Sequence, residues 1–210
     1  MEQLRNLPLF AGMTDGEIER QIEALRGQRG RVEKGSVLIR QGERVDRFGI
    51  LLEGRLQGHQ VDADGSLSVV STLGVGMMFG EILIFSDCPA PVTLVALTDC
   101  RILWLGPMDL SRTHPTLIGN LLSTIAGEYW ALHQKIAYCG IVSLRKRIFA
   151  FLSDRSGAVG VPFTVPFDRN GMAAYLNADR SALSRELSRM RNEGILDYHK
   201  NRFTLFVSAL

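Results

Sequence analysis

The sequence has few cysteines and no long hydrophobic run. Its three cysteines, Cys88, Cys100 and Cys139, are an odd number at wide spacings, which matches neither a disulfide framework nor a set of zinc ligands. No stretch approaches the ~20 apolar residues of a membrane span. The N-terminal residues lack the basic and apolar regions of a secretory signal. We therefore expect a reduced, cytoplasmic protein with no membrane partner.

The composition is that of a globular protein, but the charge is unevenly distributed. The 210 residues are 46% hydrophobic and 22% charged, which is enough for two domains with apolar cores. Residues 1–139 carry 13 Lys and Arg against 16 Asp and Glu, whereas residues 140–210 carry 11 against 6. Basic charge concentrated in one domain is the usual signature of a polyanion partner.

Residues 31–108 show short apolar runs separated by glycines, which is typical of an all-β sandwich or barrel. The runs lie at 37–39, 49–52, 67–73, 94–97 and 102–105. Asp64-Gly65 is the predicted hairpin turn, because both residues tolerate a positive φ. Ahead of this region, Thr14 and Glu17 have the spacing of a capping box and predict the start of a helix.

Residues 115–138 predict one long helix without an internal proline. Alternating spacings of four and three residues give it an apolar seam of the coiled-coil type, formed by Ile118, Leu122, Ile125, Tyr129, Leu132 and Ile136. This seam predicts a homodimer interface. Packing of the helix on its own domain is the alternative, because Leu121, Ala126 and Trp130 broaden the apolar face.

The last third of the chain has the pattern of short helices followed by a β-hairpin. Helices are predicted at 144–152, 170–176 and 179–192, a strand at 161–167 and a hairpin at 195–207. The turn Asn177-Ala178 joins the last two helices, and Gly194 stands where a C-terminal glycine cap is expected. Two helices joined by a short turn and followed by a hairpin predict a winged helix-turn-helix.

The helix that begins at Asp179 has the features of a DNA recognition helix. Its polar face is expected to carry Arg180, Ser181, Ser184 and Arg185, and its buried face Ala182, Leu183, Leu187 and Met190. Arginine suits base reading because its planar fork meets both acceptors of a guanine edge. The predicted DNA contacts further include Arg189, Arg169, Lys200 and Arg202. An ordinary solvated helix face is the alternative interpretation.

In order and spacing, these motifs resemble the Crp/Fnr superfamily of bacterial transcription regulators. The motifs are Leu9-Phe10 to Thr14, Lys34-Gly35 with Gln41-Gly42-Glu43, Gly49 to Gly54, Gly76 to Glu81, Val95 to Cys100, Tyr175-Leu176, Asp179 to Leu187 and Asn192 to Leu196. The resemblance implies an α+β fold with an N-terminal double-stranded β-helix (a jelly-roll-like β-roll), a long dimerisation helix and a C-terminal winged helix-turn-helix. The implied domains are an effector-sensing domain at 1–114, the dimerisation helix at 115–139 and a DNA-binding domain at 140–210.

The resemblance also implies a function. A homodimer would bind a palindromic operator in double-stranded DNA under the control of an effector in the β-roll, with RNA polymerase as a further partner. Arg185 would read a guanine in a TGA-like half-site, and Ser181, which replaces a glutamate of the family pattern, would relax the preference at its position. No catalytic residue or metal ligand is implied. A cupin-like enzyme needs clustered His and Glu, and the β region holds only His59.

Two departures from the family pattern argue against specific ligands. Members that bind cAMP hold the cyclic phosphate with an Arg-Ser pair, but this sequence has Pro89-Ala90-Pro91-Val92 there and no arginine between Glu81 and Arg101. An iron–sulfur cluster needs about four thiolates, and the N-terminal cysteine set is absent. The resemblance instead suggests a small-molecule pocket that is mostly apolar. Its predicted lining is Met77, Phe79, Gly80, Glu81, Ile82, Tyr129, Leu132 and His133, and the alternative is that these residues belong only to the core and the seam.

Other sensing modes remain open at this point. Haem is one, with His59, His114 and His133 as the ligand choices and no spacing that selects among them. A redox switch at Cys139, which continues the seam three residues after Ile136, is another. The missing arginine is also compatible with a regulator that has lost its effector site. A ligand-binding module without DNA binding is the remaining alternative, which the basic C-terminal third argues against.

Overall fold

The computed structural model describes residues 2–61, 65–86, 88–109 and 111–209. The chain forms two compact units, Met1–Ile125 and Ala126–Leu210. The boundary between them falls inside the helix α4 (Pro115–Cys139). The predicted division at residues 114 and 139 stays a prediction. Within the part of the chain that the structure describes, no helix is long and apolar enough to cross a membrane.

The first unit contains two antiparallel four-stranded sheets and short helices. The helices are α1 (Glu2–Arg5), a 3-10 turn (Pro8–Phe10), α2 (Asp15–Ala24) and α3 (Glu81–Ser86). The strands are β1 (Gln28–Val32), β2 (Val37–Ile39), β3 (Phe48–Glu53), β4 (Leu56–Val61), β5 (Leu67–Leu73), β6 (Met78–Phe79), β7 (Thr93–Ala96) and β8 (Cys100–Leu105). The strand orders are β1-β8-β3-β6 and β2-β7-β4-β5. This arrangement confirms the predicted β-rich N-terminal region.

The central strands β3 and β8 are apolar on both faces, because each face of their sheet is covered. Ile50 and Leu103 are fully buried against the N-terminal helices, and Leu51 and Ile102 are fully buried in a second cluster with residues of the other sheet. The alternation follows from the two-residue repeat of a strand. At Gly49 a Cβ atom would lie 2.2 Å from the Phe79 ring, so only glycine permits this approach of β6 to β3.

Two predicted local signals of this unit can be compared with the structure. The Thr14 backbone N–H donates to Glu17 Oε2 at 2.8 Å, which confirms the capping box at the start of α2. The predicted hairpin turn includes Asp64, which lies outside the described residues. Its neighbour Gly65 has φ +82°, and β4 pairs with β5 in antiparallel register.

The second unit is a three-helix cluster with a small sheet. Its elements are α5 (Leu144–Ser153), β9 (Phe163–Thr164), α6 (Arg169–Tyr175), α7 (Arg180–Asn192), β10 (Leu196–His199) and β11 (Arg202–Leu205), with strand order β10-β11-β9. The predicted strand at 161–167 is reduced to two paired residues. Pro162 and Pro166 flank these residues, and neither has an N–H to donate to a ladder.

The core of the second unit is formed by α5, α6, α7, the sheet and Tyr138 near the end of α4. Helix α7 contributes three fully buried side chains, Leu183, Leu187 and Met190. We expect Leu187→Ala to lower the free energy of unfolding by about 2–5 kcal/mol, because truncation leaves a cavity. Urea denaturation of the full chain, followed by circular dichroism, measures this. As a control, Asn192→Ala on the exposed side of α7 should change it by less than about 0.5 kcal/mol. Equal effects of the two substitutions would contradict the packing of α7.

Candidate nucleic-acid interface

The turn before α7 is fixed by backbone geometry and by one arginine. Asn177 has φ +48°, and the Ala178 N–H donates to the Ala173 carbonyl at 2.9 Å. Arg147 Nη1 donates to the carbonyls of Leu176 and Asn177 at 2.8 and 3.0 Å. These bonds satisfy carbonyls at the end of α6 and hold the angle at which α7 begins.

The polar face of α7 forms as the sequence predicts. Asp179 caps the helix, and its Oδ1 accepts from the Ala182 N–H at 2.8 Å. Arg180, Ser181 and Arg185 are exposed, Ser184 is half-buried, and these four lie on the side away from the buried leucines. Ala182 is half-buried and not fully buried as expected. The first two turns of α7 therefore offer guanidinium and hydroxyl groups to solvent.

The cations of this unit differ in whether a carboxylate pairs with them. Within residues 126–209, Arg191 pairs with Asp197 at 2.7 Å, and Arg189 lies 3.5 Å from Glu186. In the same range, no carboxylate lies within ion-pair distance of Arg180, Arg185, Lys200 or Arg202. Four cations without an ion pair in this range therefore lie in the first half of α7 and on the hairpin formed by β10 and β11, which we call the wing. Lys135 on α4 and Lys146 on α5 are also exposed and have no ion pair in this range.

Arg145 of α5 is an unpredicted positioning residue for α7. Its Nε donates to Glu186 Oε1 at 2.6 Å, and its two Nη atoms bond both oxygens of Glu193 at 2.6 and 2.8 Å. Hydrogen bonds to Glu193 and then to Glu186 raise the pKa of Arg145, and the same contact lowers the pKa of Glu193. Both carboxylates are thereby neutralised on the helix that carries the free arginines.

Arg169, a predicted DNA contact, is half-buried beside the wing. Its guanidinium carbon lies 5.0 Å from the centre of the Tyr198 ring and 5.7 Å from that of Phe203. Burial is the largest influence on the pKa of Arg169 and lowers it. Tyr198 was not among the residues predicted from the sequence, and only its place in a β-hairpin could have drawn attention to it.

The predicted effector residues divide between the two units. In the first unit Phe79 and Glu81 are buried, Gly80 has φ +82°, and Met77 and Ile82 are about half exposed. In the second unit Tyr129, Leu132 and His133 are exposed. Their assembly into one pocket stays a prediction.

The histidines considered as haem ligands have different surroundings. His59 lies on β4 with a buried Nδ1 that has no hydrogen-bond partner among the described residues. His114 Nδ1 accepts from the Thr116 N–H at 3.3 Å, and its Nε2 lies 3.5 Å from Glu17. His133 stacks on Trp130, with ring centres 5.4 Å apart. Across the described ranges, no cluster of three or more His, Cys, Asp or Glu is arranged to hold a metal ion.

Comparison with known protein families gives two matches along the chain. Residues 29–113 match the cyclic nucleotide-binding domain, and residues 146–207 match the Crp-like helix-turn-helix domain. A cyclic nucleotide-binding fold followed by a DNA-binding helix-turn-helix defines a transcription regulator.

Similar proteins match all or part of the same arrangement. The cyclic AMP receptor protein of Thermus thermophilus is 22% identical over 92% of this chain and 89% of its own. A cAMP-dependent protein kinase regulatory subunit of Yarrowia lipolytica is 31% identical over 57% of this chain, which spans only 29% of that relative. The solved structure of OCPA-complexed CprK has a TM-score of 0.66 at 19% identity and covers 89% of both chains. The chain belongs to the Crp/Fnr superfamily, as the sequence motifs predict.

Proposed function

We propose that this regulator binds a palindromic, TGA-like operator as a homodimer, under the control of a small-molecule effector other than cAMP. The observation that carries the proposal is the clustering of unpaired cations on α7 and the wing. Among the described residues, no carboxylate pairs with Arg180, Arg185, Lys200 or Arg202. A polyanion supplies the charges that they lack, and duplex DNA fits a helix and a wing placed together.

Within this proposal, the residues of α7 and those of the wing have different roles in DNA binding. Arg185, on the exposed side of α7, is suited to bidentate contact with a guanine edge in the major groove. Ser181 can donate to or accept from several bases and therefore discriminates less than a carboxylate would. Lys200 and Arg202 on the wing are suited to phosphates, which set register and carry no sequence information.

The homodimer is supported by the exposed seam of α4. Leu122, Tyr129, Leu132 and Ile136 each expose between 57% and 65% of their surface, while Ile118 and Ile125 are partly covered. Apolar side chains at alternating three- and four-residue spacing are stabilised when a second helix covers them. A two-fold dimer would present two copies of α7, which is why we propose a palindromic operator.

The effector proposal depends on the absence of basic residues from one segment of the β-roll. The sequence between Glu81 and Arg101 contains no Lys or Arg. Beside β4, a Cβ atom at Gly58 would lie 2.4 Å from Ser71 Oγ and 3.4 Å from Val92, so a hydroxyl and an aliphatic group line this position. A buried cyclic phosphate without a cationic partner is costly. We therefore propose an effector without a phosphate, held in the first unit by the predicted lining residues Met77, Phe79, Gly80, Glu81 and Ile82.

Selection from a pool of random duplexes tests the proposal with the full chain. The recovered sequences should share an inverted repeat with TGA-like half-sites. Fluorescence anisotropy should then show tighter binding to the recovered duplex than to a scrambled one, and added cAMP should leave that affinity unchanged. Failure to bind any duplex at low salt would overturn the DNA-binding proposal, whereas strengthening by cAMP would overturn only the effector proposal.

A further inference from the structure

Tyr198, on the strand β10 of the wing, has two guanidinium groups close to its ring. The guanidinium carbon of Arg169, at the start of α6, lies 5.0 Å from the centre of the Tyr198 ring. That of Arg191, near the end of α7, lies 5.5 Å from the same centre. Arginine stacks well on aromatic faces because its guanidinium is planar and weakly hydrated. The ring therefore links the wing to both helices of the helix-turn-helix.

Arg191 also forms an ion pair with strand β10. Arg191 Nε lies 2.7 Å from Asp197 Oδ1, and the same oxygen accepts from the Tyr198 N–H at 2.8 Å. The Tyr198 hydroxyl lies 3.4 Å from Ser188 Oγ of α7. Strand β10 thus contacts the recognition helix through the Asp197 carboxylate and the Tyr198 hydroxyl, in addition to the stacked ring.

Arg169 also contacts the tip of the wing, at Lys200. Arg169 Nη2 donates to the Lys200 carbonyl at 3.4 Å. Lys200 has φ +54°, a left-handed conformation that residues other than glycine and asparagine rarely adopt. Asn201 holds the tip from the other side, since its Nδ2 donates to the Val165 carbonyl at 3.2 Å and its carbonyl accepts from the Val165 N–H at 2.9 Å. The strained tip is therefore held from two directions.

We propose that Arg169 and Arg191 clamp Tyr198 so that the wing is locked to α7, and that this lock places Lys200 and Arg202 against the DNA backbone. Arg169 is then a positioning residue for DNA binding and not itself a phosphate contact. Its half-buried guanidinium already contacts two rings and a carbonyl. This inference rests on the proposed function, because it assigns how the wing meets DNA.

The test is a double-mutant cycle read from the salt dependence of binding. The probe is a short fluorescein-labelled duplex of scrambled sequence, because phosphate contacts do not depend on sequence. In the otherwise unchanged chain, replacing Lys200 and Arg202 together by alanine should lower the slope of log Kd against log salt by about 1.8 per protomer, for two lost contacts. After Tyr198→Leu, which removes the clamped ring, the same pair of substitutions should lower it by less than about 0.5.

Conservative variants separate positioning from direct contact. Tyr198→Phe keeps the ring close to the two arginines and should retain the slope of the unchanged chain. Arg169→Lys keeps a point charge but loses the planar group, so it should lower the slope as much as Arg169→Met does. If Arg169→Lys instead behaves like the unchanged chain, Arg169 contacts a phosphate directly and the proposal is overturned.

Amide hydrogen exchange, measured without DNA, tests whether the Tyr198→Leu variant remains folded outside the wing. In Tyr198→Leu, the amides of residues 196–205 should exchange faster, while those of Leu183 and Leu187 keep their protection. Loss of protection in α7 as well would show that the ring stabilises the whole unit and would overturn its role as a wing lock. If the Lys200 and Arg202 substitutions lower the slope equally with and without Tyr198→Leu, the lock is overturned, but the proposed DNA binding is not. An unchanged chain that binds no duplex would instead overturn the proposed function and this inference with it.

Discussion

Arg185→Ala is expected to weaken binding to the selected operator by about 1–3 kcal/mol for each half-site, and to leave binding to a scrambled duplex within about twofold. The reason is the exposed position of Arg185 on the second turn of α7, without a carboxylate partner in the described part of its unit. A guanidinium that reads a guanine loses two hydrogen bonds when it is truncated, and a buried base edge is left unsatisfied. Anisotropy titrations on the two duplexes at one salt concentration measure the difference.

The matched control is Arg20→Ala, which removes an exposed arginine from α2 in the first unit. It lowers the net charge by the same amount, so it corrects for long-range electrostatic attraction. Arg20→Ala should leave both affinities nearly unchanged. Equal losses on both duplexes for Arg185→Ala would show that Arg185 contacts a phosphate and does not read a base.

The second large effect is expected on the seam of α4. Leu122→Glu combined with Leu132→Glu should convert the proposed dimer to a monomer and weaken operator binding by about 10²- to 10³-fold. Both leucines are more than half exposed in the single chain, so the substitutions cost little within one copy. Across a two-fold axis they would place like charges where apolar contact is needed, and a monomer binds only one half-site. Analytical ultracentrifugation and anisotropy measure the two consequences.

A control on the same helix tests whether the seam itself is responsible. Ser123→Glu combined with Ala131→Glu adds the same charge at exposed positions that helical spacing places on the opposite side of α4. This pair should remain dimeric and bind the operator normally. If the seam variant also sediments as a dimer, the interface lies elsewhere on the chain.

The predicted strands and helices agree with the structure where burial dictates the sequence. Strands β3 and β8 are buried on both faces and appear as apolar runs, so they were predicted close to their observed bounds. Strands β1 and β4 were not predicted, because their sequences QRGRV and LQGHQV contain mostly polar residues. Their pairing with neighbouring strands comes from the backbone, which no hydrophobic pattern reveals.

The candidate interface was predictable as a set of charges but not as an arrangement. Helical spacing was enough to place Arg180 and Arg185 on an exposed face. Spacing could not show that Arg145 neutralises Glu186 and Glu193, because these partners are 41 and 48 residues away along the chain. In the same way, the stacking of Arg169 on Tyr198 depends on how the hairpin folds back onto the helices. Long-range contacts of this kind decide which cations are free.

The aspartates that cap α6 and α7 affect how this protein would search for its operator. Asp168 and Asp179 accept the N–H groups of Gly171 and Ala182 at 2.7 and 2.8 Å. The start of a helix is otherwise a ready-made phosphate site, because its N–H groups are free and its dipole is positive there. Here an internal carboxylate already accepts one of these N–H groups at each start. In the proposed complex, the hold on the DNA backbone would therefore depend more on long side chains that can follow the phosphates of any sequence, a condition that favours sliding along DNA until α7 meets its bases.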